Sequence, residues 1–385
     1  MKILITTDLF STSTNGVVTS IKNLSEELRE RGHDVRILAL SDSLNSYKDG
    51  IVYYIKSLSL GFIYPDIRMP VSYRNEMISE IIEWKPDIIH SQCEFFSFQF
   101  ARHILKRTGA PLVHTYHTLY EQYAAYAIPN RHLGDLVVRI VVRKCLKYAA
   151  KVVVPTKKVE NVLRQYGLTN PMCIIPSGID LEQYKRKLTY EERMNRRRAL
   201  GIPDDHQVIL SLGRLGREKN LEELLALFAQ ELAFNQKLTF LVVGDGPARM
   251  QLESLAEKLG IMGQVIFTGM IDPSQVQEYY QLGDVFVCAS TSETQGLTYI
   301  EAAASGLPLL CRKDPCLEGV VFDGINGYEY TSSRDFSEKM NGILNNAEWR
   351  RTAGKHSEEI AESFDRRHFA SAIEDVYESV IHKDI

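Results

Sequence analysis

The sequence predicts an α/β protein built from two Rossmann-like, doubly wound parallel-sheet domains that face each other across a cleft. Three observations lead to this fold class. A chain of 385 residues is too long for one core of ordinary size. Short β-rich runs alternate with longer amphipathic stretches, which is typical of a parallel sheet covered by helices on both faces. The alternation occurs twice, and a segment at 176–184 that contains Pro, Ser, Gly and Asp separates the two series.

The two series define two predicted domains, at 1–176 and 177–363, followed by a terminal helix at 364–385. The predicted strands of the first domain are Lys2–Thr7, Val35–Leu40, Ile88–His90, Leu112–Tyr116 and Val152–Val154. Those of the second domain are Val208–Leu212, Leu238–Val243, Val265–Thr268, Val285–Cys288 and Leu307–Cys311. Its predicted helices are Leu221–Leu232, Met250–Leu259 and Ile300–Ser305, and two more helices are predicted after about residue 345. Ligands of such sheets bind at the carboxyl ends of the strands, so functional residues are expected there.

Composition narrows the class of protein. Hydrophobic residues make up 44% of the chain and charged residues 24%, which indicates a packed core and not general disorder. The apolar run at the N-terminus is too short for a signal peptide, and no stretch approaches the length of a membrane span. We therefore expect a cytoplasmic protein, attached at most to a membrane surface. The six cysteines are scattered, so neither a zinc site nor a disulfide framework is predicted.

Charge is distributed unevenly along the chain. Residues 1–164 hold 22 Lys and Arg against 16 Asp and Glu, whereas the remainder holds 23 against 33. The basic first part is consistent with an anionic partner, and ordinary variation of surface charge explains it equally well. Nothing in the sequence indicates a nucleic-acid partner, and the oligomeric state is not predicted.

The first candidate ligand-binding motif follows the predicted strand Val208–Leu212. Gly213, Arg214, Gly216 and Lys219 form a glycine-containing turn that leaves a strand and enters a helix. Backbone amides and cations then converge near one point, as in many phosphate sites. Taken alone, the two cations are equally well interpreted as solvated surface charges.

The second motif follows the predicted strand Val285–Cys288. A helix that starts near Gly296 or Leu297 would direct its amino end at the phosphates that the first motif is predicted to bind. Glu293 precedes this helix and Glu301 lies just inside it, and both carboxylates are good acceptors for sugar hydroxyls. The alternative is that Glu293 caps the helix and Glu301 faces solvent.

Together these motifs resemble a known family. Glu293 and Glu301 match the E-x7-E motif of retaining glycosyltransferases with the GT-B fold, specifically family 4, and Arg214 with Lys219 matches the R-x4-K element of that family. Gly244-Asp245-Gly246-Pro247 and Asn15-Gly16-Val17 extend the resemblance over essentially the whole chain. By analogy with this family, the terminal helix is expected to return to the first domain.

The resemblance implies a role for each matching residue. Arg214 and Lys219 would neutralise the leaving diphosphate, Glu293 would hold the donor sugar, and Glu301 would hold the ribose. Gly16 would allow close approach of the diphosphate. The remaining implied donor-site residues are His117, which would reach the sugar, and Gly244, Gln295, Gly296, Leu297 and Thr298. Without the resemblance, His117 is as well explained as a hydrogen-bonded histidine at the end of a strand.

The family transfers sugar with retention, usually pictured as attack on the face that the diphosphate leaves, so no enzyme nucleophile is assigned. The chain has no Asp-x-Asp motif, so a metal is not implied, and the UDP-sugar is a substrate and not a cofactor. The segment Glu293–Ala302 and the segment His114–Glu121 also resemble bacterial 1,2-diacylglycerol α-glucosyltransferases. That resemblance implies UDP-glucose, a diacylglycerol acceptor and peripheral attachment at the inner face of the cell membrane.

Cations at Arg139, Arg143, Lys147 and Lys151 recur every four residues and form a predicted basic stripe. The apolar face of the same predicted helix consists of Leu133, Leu136, Val137, Ile140, Val141 and Tyr148. Such a helix suits an anionic bilayer surface, and it is equally well interpreted as a domain helix with its apolar face in the core. Aromatic loops at Leu58–Met69 and Tyr116–Ile128 either add to this contact or are buried.

Three alternatives to a lipid glucosyltransferase remain at this point. The same donor chemistry can act on a soluble or polysaccharide acceptor. A nucleotide-sugar epimerase shares the GT-B architecture. A non-catalytic nucleotide-sugar sensor would bind the donor without turnover.

Overall fold

The computed structural model describes residues 1–10, 15–60, 68–120 and 131–382. The chain divides into two compact units. The first unit comprises residues 1–178 together with the segment that begins at Arg366, and the second comprises residues 179–365. Each unit has its own parallel sheet, which confirms the predicted fold class of two Rossmann-like domains.

The first unit alternates strands and helices along the chain. Its strands are β1 (Lys2–Thr7), β2 (Asp34–Leu40), β3 (Tyr47–Asp49), β4 (Val52–Ile55), β5 (Ser57–Ser59), β6 (Arg68–Pro70), β7 (Ile88–Ser91), β8 (Leu112–Thr115), β9 (Lys151–Val154) and β10 (Met172–Ile174). Its helices are α1 (Gly16–Glu30), α2 (Glu76–Trp84), α3 (Phe96–Thr108), α4 (Arg131–Leu146) and α5 (Lys157–Gln165).

The main sheet of this unit has the order β10-β9-β8-β7-β1-β2-β4-β3, and its strands run parallel except for the edge strand β3. From β1 the chain builds outward on one side through β2 and β4, and on the other through β7, β8 and β9. The order therefore reverses between β1 and β7. In a doubly wound sheet this is the point at which a crevice opens at the carboxyl ends of the strands.

The second unit repeats the same logic. Its strands are β11 (Gln207–Leu212), β12 (Leu238–Val243), β13 (Val265–Phe267), β14 (Val285–Cys288), β15 (Leu309–Arg312) and β16 (Gly327–Tyr330). Its helices are α6 (Tyr190–Ala199), α7 (Leu221–Leu232), α8 (Arg249–Lys258), α9 (Val276–Tyr280), α10 (Leu297–Ala304), α11 (Ser333–Asn345) and α12 (Ala347–Ala361). The last helix of the chain, α13 (Arg366–Ile381), belongs to the first unit.

The sheet of the second unit has the order β13-β12-β11-β14-β15-β16, with all strands parallel. Its order reverses between β11 and β14. The two motifs found in the sequence directly follow these two strands. The fold therefore brings together residues that are about 80 positions apart in the chain.

Each sheet is buried on both faces, because alternate side chains of a strand point to opposite sides. In β1, Leu4 packs into the cluster that includes α3 and α4, whereas Ile3 and Ile5 pack into the cluster that includes α1. Side chains of α13, among them Phe369 and Tyr377, belong to the second of these clusters. The terminal helix thus covers one face of the first sheet.

The predicted strands are present, with ends that differ by one or two residues. Helix α6, rich in Glu and Arg, was not predicted because it has almost no apolar periodicity. It is instead fixed by a capping box, in which Thr189 and Glu192 bond reciprocally, and by Arg197, which is buried against Asp284 at 2.9 Å.

Candidate active site

The loops that follow β11 and β12 are stacked backbone to backbone. Gly213 and Gly244 have φ angles of +148° and +127°. A Cβ on Gly244 would lie 2.1 Å from the carbonyl oxygen of Gly213, and one on Gly246 would lie 2.5 Å from that of Leu215. Only glycine permits this approach. Gly244, predicted as a donor-site residue, therefore shapes the turn that carries Arg214.

The two cations of the first motif are each held by a carboxylate. Lys219 Nζ lies 2.5 Å from Glu293 Oε1, and Arg214 Nη2 lies 2.6 Å from Glu218 Oε1. Lys219 and Glu293 are 25% and 14% exposed, so their pair is shielded but still reachable by a ligand. The Lys219–Glu293 pair joins the loop after β11 to the loop after β14. The structure thus brings together the predicted sugar-binding carboxylate and the predicted phosphate-binding ammonium.

Two serines that sequence reasoning missed strengthen this junction. The hydroxyls of Ser290 and Ser292 each donate to the carbonyl oxygen of Glu218 at 3.1 Å. They fix the short turn Arg217–Lys219 against the end of β14. Their signal in the sequence was the small polar run directly after a buried strand, a position where polar side chains commonly serve a site.

Helix α10 starts at Leu297, as the second motif predicts, and three residues before the Ile300 start that the apolar pattern predicts. Gly296 is its N-cap, with φ +75°, and the amides of Leu297 and Thr298 in the first turn have no intrahelical acceptor. The alternative that Glu293 caps this helix is therefore wrong. Gln295, just before the cap, is buried, and Leu297 packs against the core of the second unit.

We expect Gly296→Ala to lower the free energy of unfolding by about 1–3 kcal/mol, the usual cost of a strained backbone position. An added Cβ would lie 2.3 Å from the Tyr299 ring, and the φ of +75° disfavours any side chain. Denaturant unfolding measures the change, and UDP titration should show weaker binding because the first turn of α10 must shift. The control is Gly342→Ala in α11, where nothing lies within 4 Å and stability should rise slightly. Equal stability of the Gly296→Ala variant and the unmodified protein would contradict the strain argument.

A pocket lies at this junction of loops. It is open to solvent on one side and is lined by Ser211, Leu212, Gly213, Arg214, Leu215, Lys219, Leu221, Cys288 and Thr298. Cations from the loop after β11 and the first turn of α10 therefore border the same space. Positive charge together with the amino end of a helix favours an anionic ligand.

Glu301 has a different environment. Its Oε2 accepts a hydrogen bond from the buried Tyr280 hydroxyl at 2.7 Å. Burial raises the pKa of Glu301, and the bond from Tyr280 opposes that rise. The alternative of a solvent-facing Glu301 is therefore wrong. Sequence reasoning did not identify Tyr280, which lies in the short helix α9.

In the first unit, the predicted His117 follows β8. Its Nε2 lies 2.7 Å from Oε1 of Gln92, which follows the neighbouring strand β7. Burial, together with the nearby His114, lowers the pKa of His117 to about 3. Gly16 is the exposed first residue of α1, whose N-cap Asn15 accepts the amide of Val18 at 2.9 Å. His117 thus lies just beyond the carboxyl end of β8, the neighbour of β7. Gly16 begins the helix that follows β1.

Helix α4 presents apolar side chains on its outward face as well as on its inward face. Val142, Cys145 and Leu146 are buried in the core of the first unit. The outward apolar side chains are Leu133, Leu136, Val137, Ile140 and Val141, which are between 36% and 52% exposed. The exposed cations on and just after the same helix are Arg139, Arg143, Lys144 and Lys147. We refer to these nine residues as the α4 surface.

The predicted basic stripe requires one correction. Helix α4 ends at Leu146, so Lys151 does not belong to the helix and is the first residue of β9. Its Nζ donates to Ser379 Oγ at 3.3 Å. The chain leaves the helix before the fourth repeat of the stripe, and Lys144, which the four-residue spacing omits, is exposed instead.

The aromatic loops are only partly described. Phe62, Ile63, Tyr64, Tyr123 and Tyr126 lie outside the described residues. Tyr120 is described, and its hydroxyl donates to Glu94. Within the described part of the chain, no helix has both the length and the apolar character needed to cross a bilayer.

Comparison with known proteins agrees with this geometry. A family model of glycosyltransferase family 4 matches residues 14–183, and one of glycosyl transferases group 1 matches residues 192–360. An alpha-monoglucosyldiacylglycerol synthase of Streptococcus pneumoniae is 35% identical over 88% of this chain and 77% of that protein. A protein of the same name from Acholeplasma laidlawii is 29% identical over 100% of this chain and 98% of that protein.

Solved structures show the same fold. The crystal structure of Anabaena HepE in complex with UDP superposes with a TM-score of 0.77 at 19% identity, over 98% of this chain and 100% of that chain. The sucrose-phosphate synthase of Thermosynechococcus elongatus gives a TM-score of 0.78 at 22% identity, over 98% of each chain. These neighbours have the GT-B fold.

Proposed function

Because the chain belongs to glycosyltransferase family 4, we propose that it is a retaining hexosyltransferase that moves glucose from UDP-glucose to 1,2-diacylglycerol, giving an α-glucosyl diacylglycerol. The observation that carries the proposal is the pocket between the loop after β11 and the start of α10, bordered by Arg214 and Lys219. Lys219 is in turn bound to Glu293. A diphosphate and its attached sugar need this pairing of cations with an acceptor carboxylate.

In the proposed reaction, the acceptor oxygen bonds to the anomeric carbon on the face that the diphosphate leaves. The bond between that carbon and the phosphate oxygen breaks, and the acceptor proton goes to a phosphate oxygen of departing UDP. Arg214, Lys219 and the amides of Gly296, Leu297 and Thr298 stabilise the charge that develops on the diphosphate, which is usually a large catalytic contribution. The two fixed cations supply this charge in place of a divalent metal.

The proposal assigns the remaining residues by their chemistry. Glu293 accepts hydrogen bonds from sugar hydroxyls, and Glu301, aligned by Tyr280, accepts them from the ribose. In the first unit, His117 acts on the sugar and Gly16 allows the diphosphate to approach.

Support for the lipid acceptor comes from the names of the two synthases and from the α4 surface. Exposed apolar side chains beside cations suit the boundary between acyl chains and anionic headgroups. The proposal therefore includes peripheral attachment to the inner face of the cell membrane.

The test is release of UDP from UDP-glucose by the purified chain, with and without diacylglycerol in phosphatidylglycerol vesicles. We expect strong stimulation by the lipid and an α-linked glucolipid, identified by NMR. A β-linked product would overturn retention, and slow lipid-independent release would overturn the diacylglycerol acceptor. Conversion of the sugar without UDP release would indicate an epimerase, and binding without turnover would indicate a sensor.

A further inference from the structure

Gln92 occupies a rigid position beside His117. Its backbone amide donates to the carbonyl oxygen of Thr6 at 2.9 Å, which continues the pairing of β7 with β1 beyond the end of the strand. The residue as a whole is 3% exposed, and its side-chain Oε1 lies 2.7 Å from His117 Nε2. An amide anchored in the sheet therefore contacts the imidazole of the first unit to which the proposed function gives a role.

This contact determines where the proton of His117 lies. A glutamine Oε1 only accepts hydrogen bonds, so the Nε2 of His117 carries the proton and its Nδ1 carries the lone pair. Burial and the adjacent His114 lower the pKa of His117 to about 3, which keeps the ring neutral at physiological pH. The imidazole is thus held in one tautomer.

The other half of the same amide is unsatisfied. Among the described residues, Gln92 Nε2 has no hydrogen-bond partner although it is buried. Leaving a buried donor without a partner costs about 1–3 kcal/mol, so this amide gains free energy when an acceptor from a ligand reaches it.

We propose that Gln92 positions His117 as the Nε2-protonated tautomer and donates its own amide to an oxygen of the sugar substrate. The identity of that substrate rests on the proposed function. One side chain then orients the imidazole and supplies a second neutral donor next to it.

A neighbouring network supports the same segment. The carboxylate of Glu94 accepts from Tyr120, and its Oε1 lies 2.9 Å from His114 Nε2. Glu94 and His114 are both buried, and Glu94 lies two residues after Gln92. The chain around His117 is therefore fixed independently of Gln92, so that replacing Gln92 changes the tautomer and not the loop.

Other titratable groups are linked to His117, and the pH test takes them into account. His114 and His90 interact with it directly. Glu94 bonds to His114, and Tyr120, Cys93 and Asp8 interact in turn with Glu94. Burial raises the pKa of Asp8 to about 6. Any effect of protonating Asp8 is therefore common to the unmodified protein and to the Gln92 variants, and only a difference between them reports on His117.

The experiment compares Gln92→Met and Gln92→Glu with the unmodified full chain. Methionine keeps the volume and removes both polar atoms, whereas glutamate keeps the acceptor and adds a charge. Gln99→Met, the same change on α3 of the same unit, is the matched control. We expect Gln92→Met to lower kcat for UDP-glucose about 10- to 100-fold, as for loss of a buried hydrogen-bond partner, with UDP affinity within about twofold.

For Gln92→Glu, the sign of the pH effect is defined. A carboxylate beside Nε2 stabilises the imidazolium and raises the pKa of His117 from about 3, so activity should fall as the pH drops through that raised value. We measure kcat between about pH 5 and about pH 9. The fall of kcat on the acid side should occur at higher pH in Gln92→Glu than in the unmodified protein.

A nitrogen NMR spectrum of the histidines reads the tautomer without activity, with His117→Ala to assign the signal. We expect Nε2 protonation in the unmodified protein and a mixture of tautomers in Gln92→Met. Unchanged tautomer and unchanged kcat in Gln92→Met, or an unshifted pH profile in Gln92→Glu, would overturn the inference. If the unmodified protein neither binds UDP nor turns over UDP-glucose, the proposed function fails, while the tautomer measurement still decides the role of Gln92 toward His117.

Discussion

Lys219→Met is expected to lower kcat for UDP-glucose by about 10²- to 10³-fold, the usual loss when one preorganised charge on a leaving group is removed. The ammonium lines the pocket and is held 2.5 Å from Glu293, so it needs little rearrangement to meet a diphosphate. Methionine keeps most of the stem and removes the charge. Steady-state UDP release measures the effect, and UDP titration should show weaker binding of the product itself.

The matched control is Lys237→Met, which breaks the Lys237–Asp205 pair. Those two side chains are 67% and 60% exposed, and an exposed pair contributes little to stability. Turnover should be unchanged. An equal loss in both variants would mean that general charge, and not the pocket, explains the result.

Glu293→Gln should separate the two halves of the site. Glu293 binds the Lys219 ammonium in this structure and competes with an incoming diphosphate for it, so neutralising the carboxylate should leave UDP affinity unchanged or higher. Turnover of UDP-glucose should nevertheless fall, because the sugar loses a charged acceptor. If Glu293→Gln weakened UDP binding as much as Lys219→Met does, Glu293 would serve only to hold Lys219.

Much of this site could be predicted because the fold places loops by a simple rule. Strand alternation defined the sheet, and the residues after β11 and β14 meet because the strand order reverses there. Gly296 could be predicted as the start of a helix, because a glycine followed by an apolar helical run is recognised within one segment of the sequence.

Contacts between separate elements could not be predicted. The bonds of Ser290 to Glu218, of Tyr280 to Glu301 and of Gln92 to His117 depend on side-chain directions that the spacing in one segment does not define. Lys151 shows the opposite error, because a four-residue spacing continued past the end of the helix into a strand. A four-residue spacing predicts which side chains share a face only as long as the helix continues. Here the turn after Leu146 ends the helix.

Replacing Arg139, Arg143, Lys144 and Lys147 together by Gln should greatly reduce binding to phosphatidylglycerol vesicles. Each cation near an anionic surface contributes about 1 kcal/mol, so the loss should be large in a flotation assay at low salt. Glutamine is chosen because these stems also pack: Arg139 lies 5.8 Å from the centre of the Tyr166 ring. The control replaces four cations of the second unit by Gln, which changes the net charge equally. These are Lys185, Lys237, Lys313 and Arg334.

The apolar half of the α4 surface makes a separate contribution. Leu133, Leu136 and Ile140 are 52%, 50% and 43% exposed and follow a three- and four-residue spacing, so they can enter the bilayer together. Changing all three to Ser should weaken binding even in about 0.5 M salt, where screening removes most of the contribution of the cations. Diacylglycerol glucosylation in vesicles should fall in both multiple variants, whereas UDP affinity should stay constant because no residue of the α4 surface is assigned to the donor site. If both variants floated like the unmodified protein, the α4 surface would not be the membrane contact, and attachment would have to involve another part of the chain.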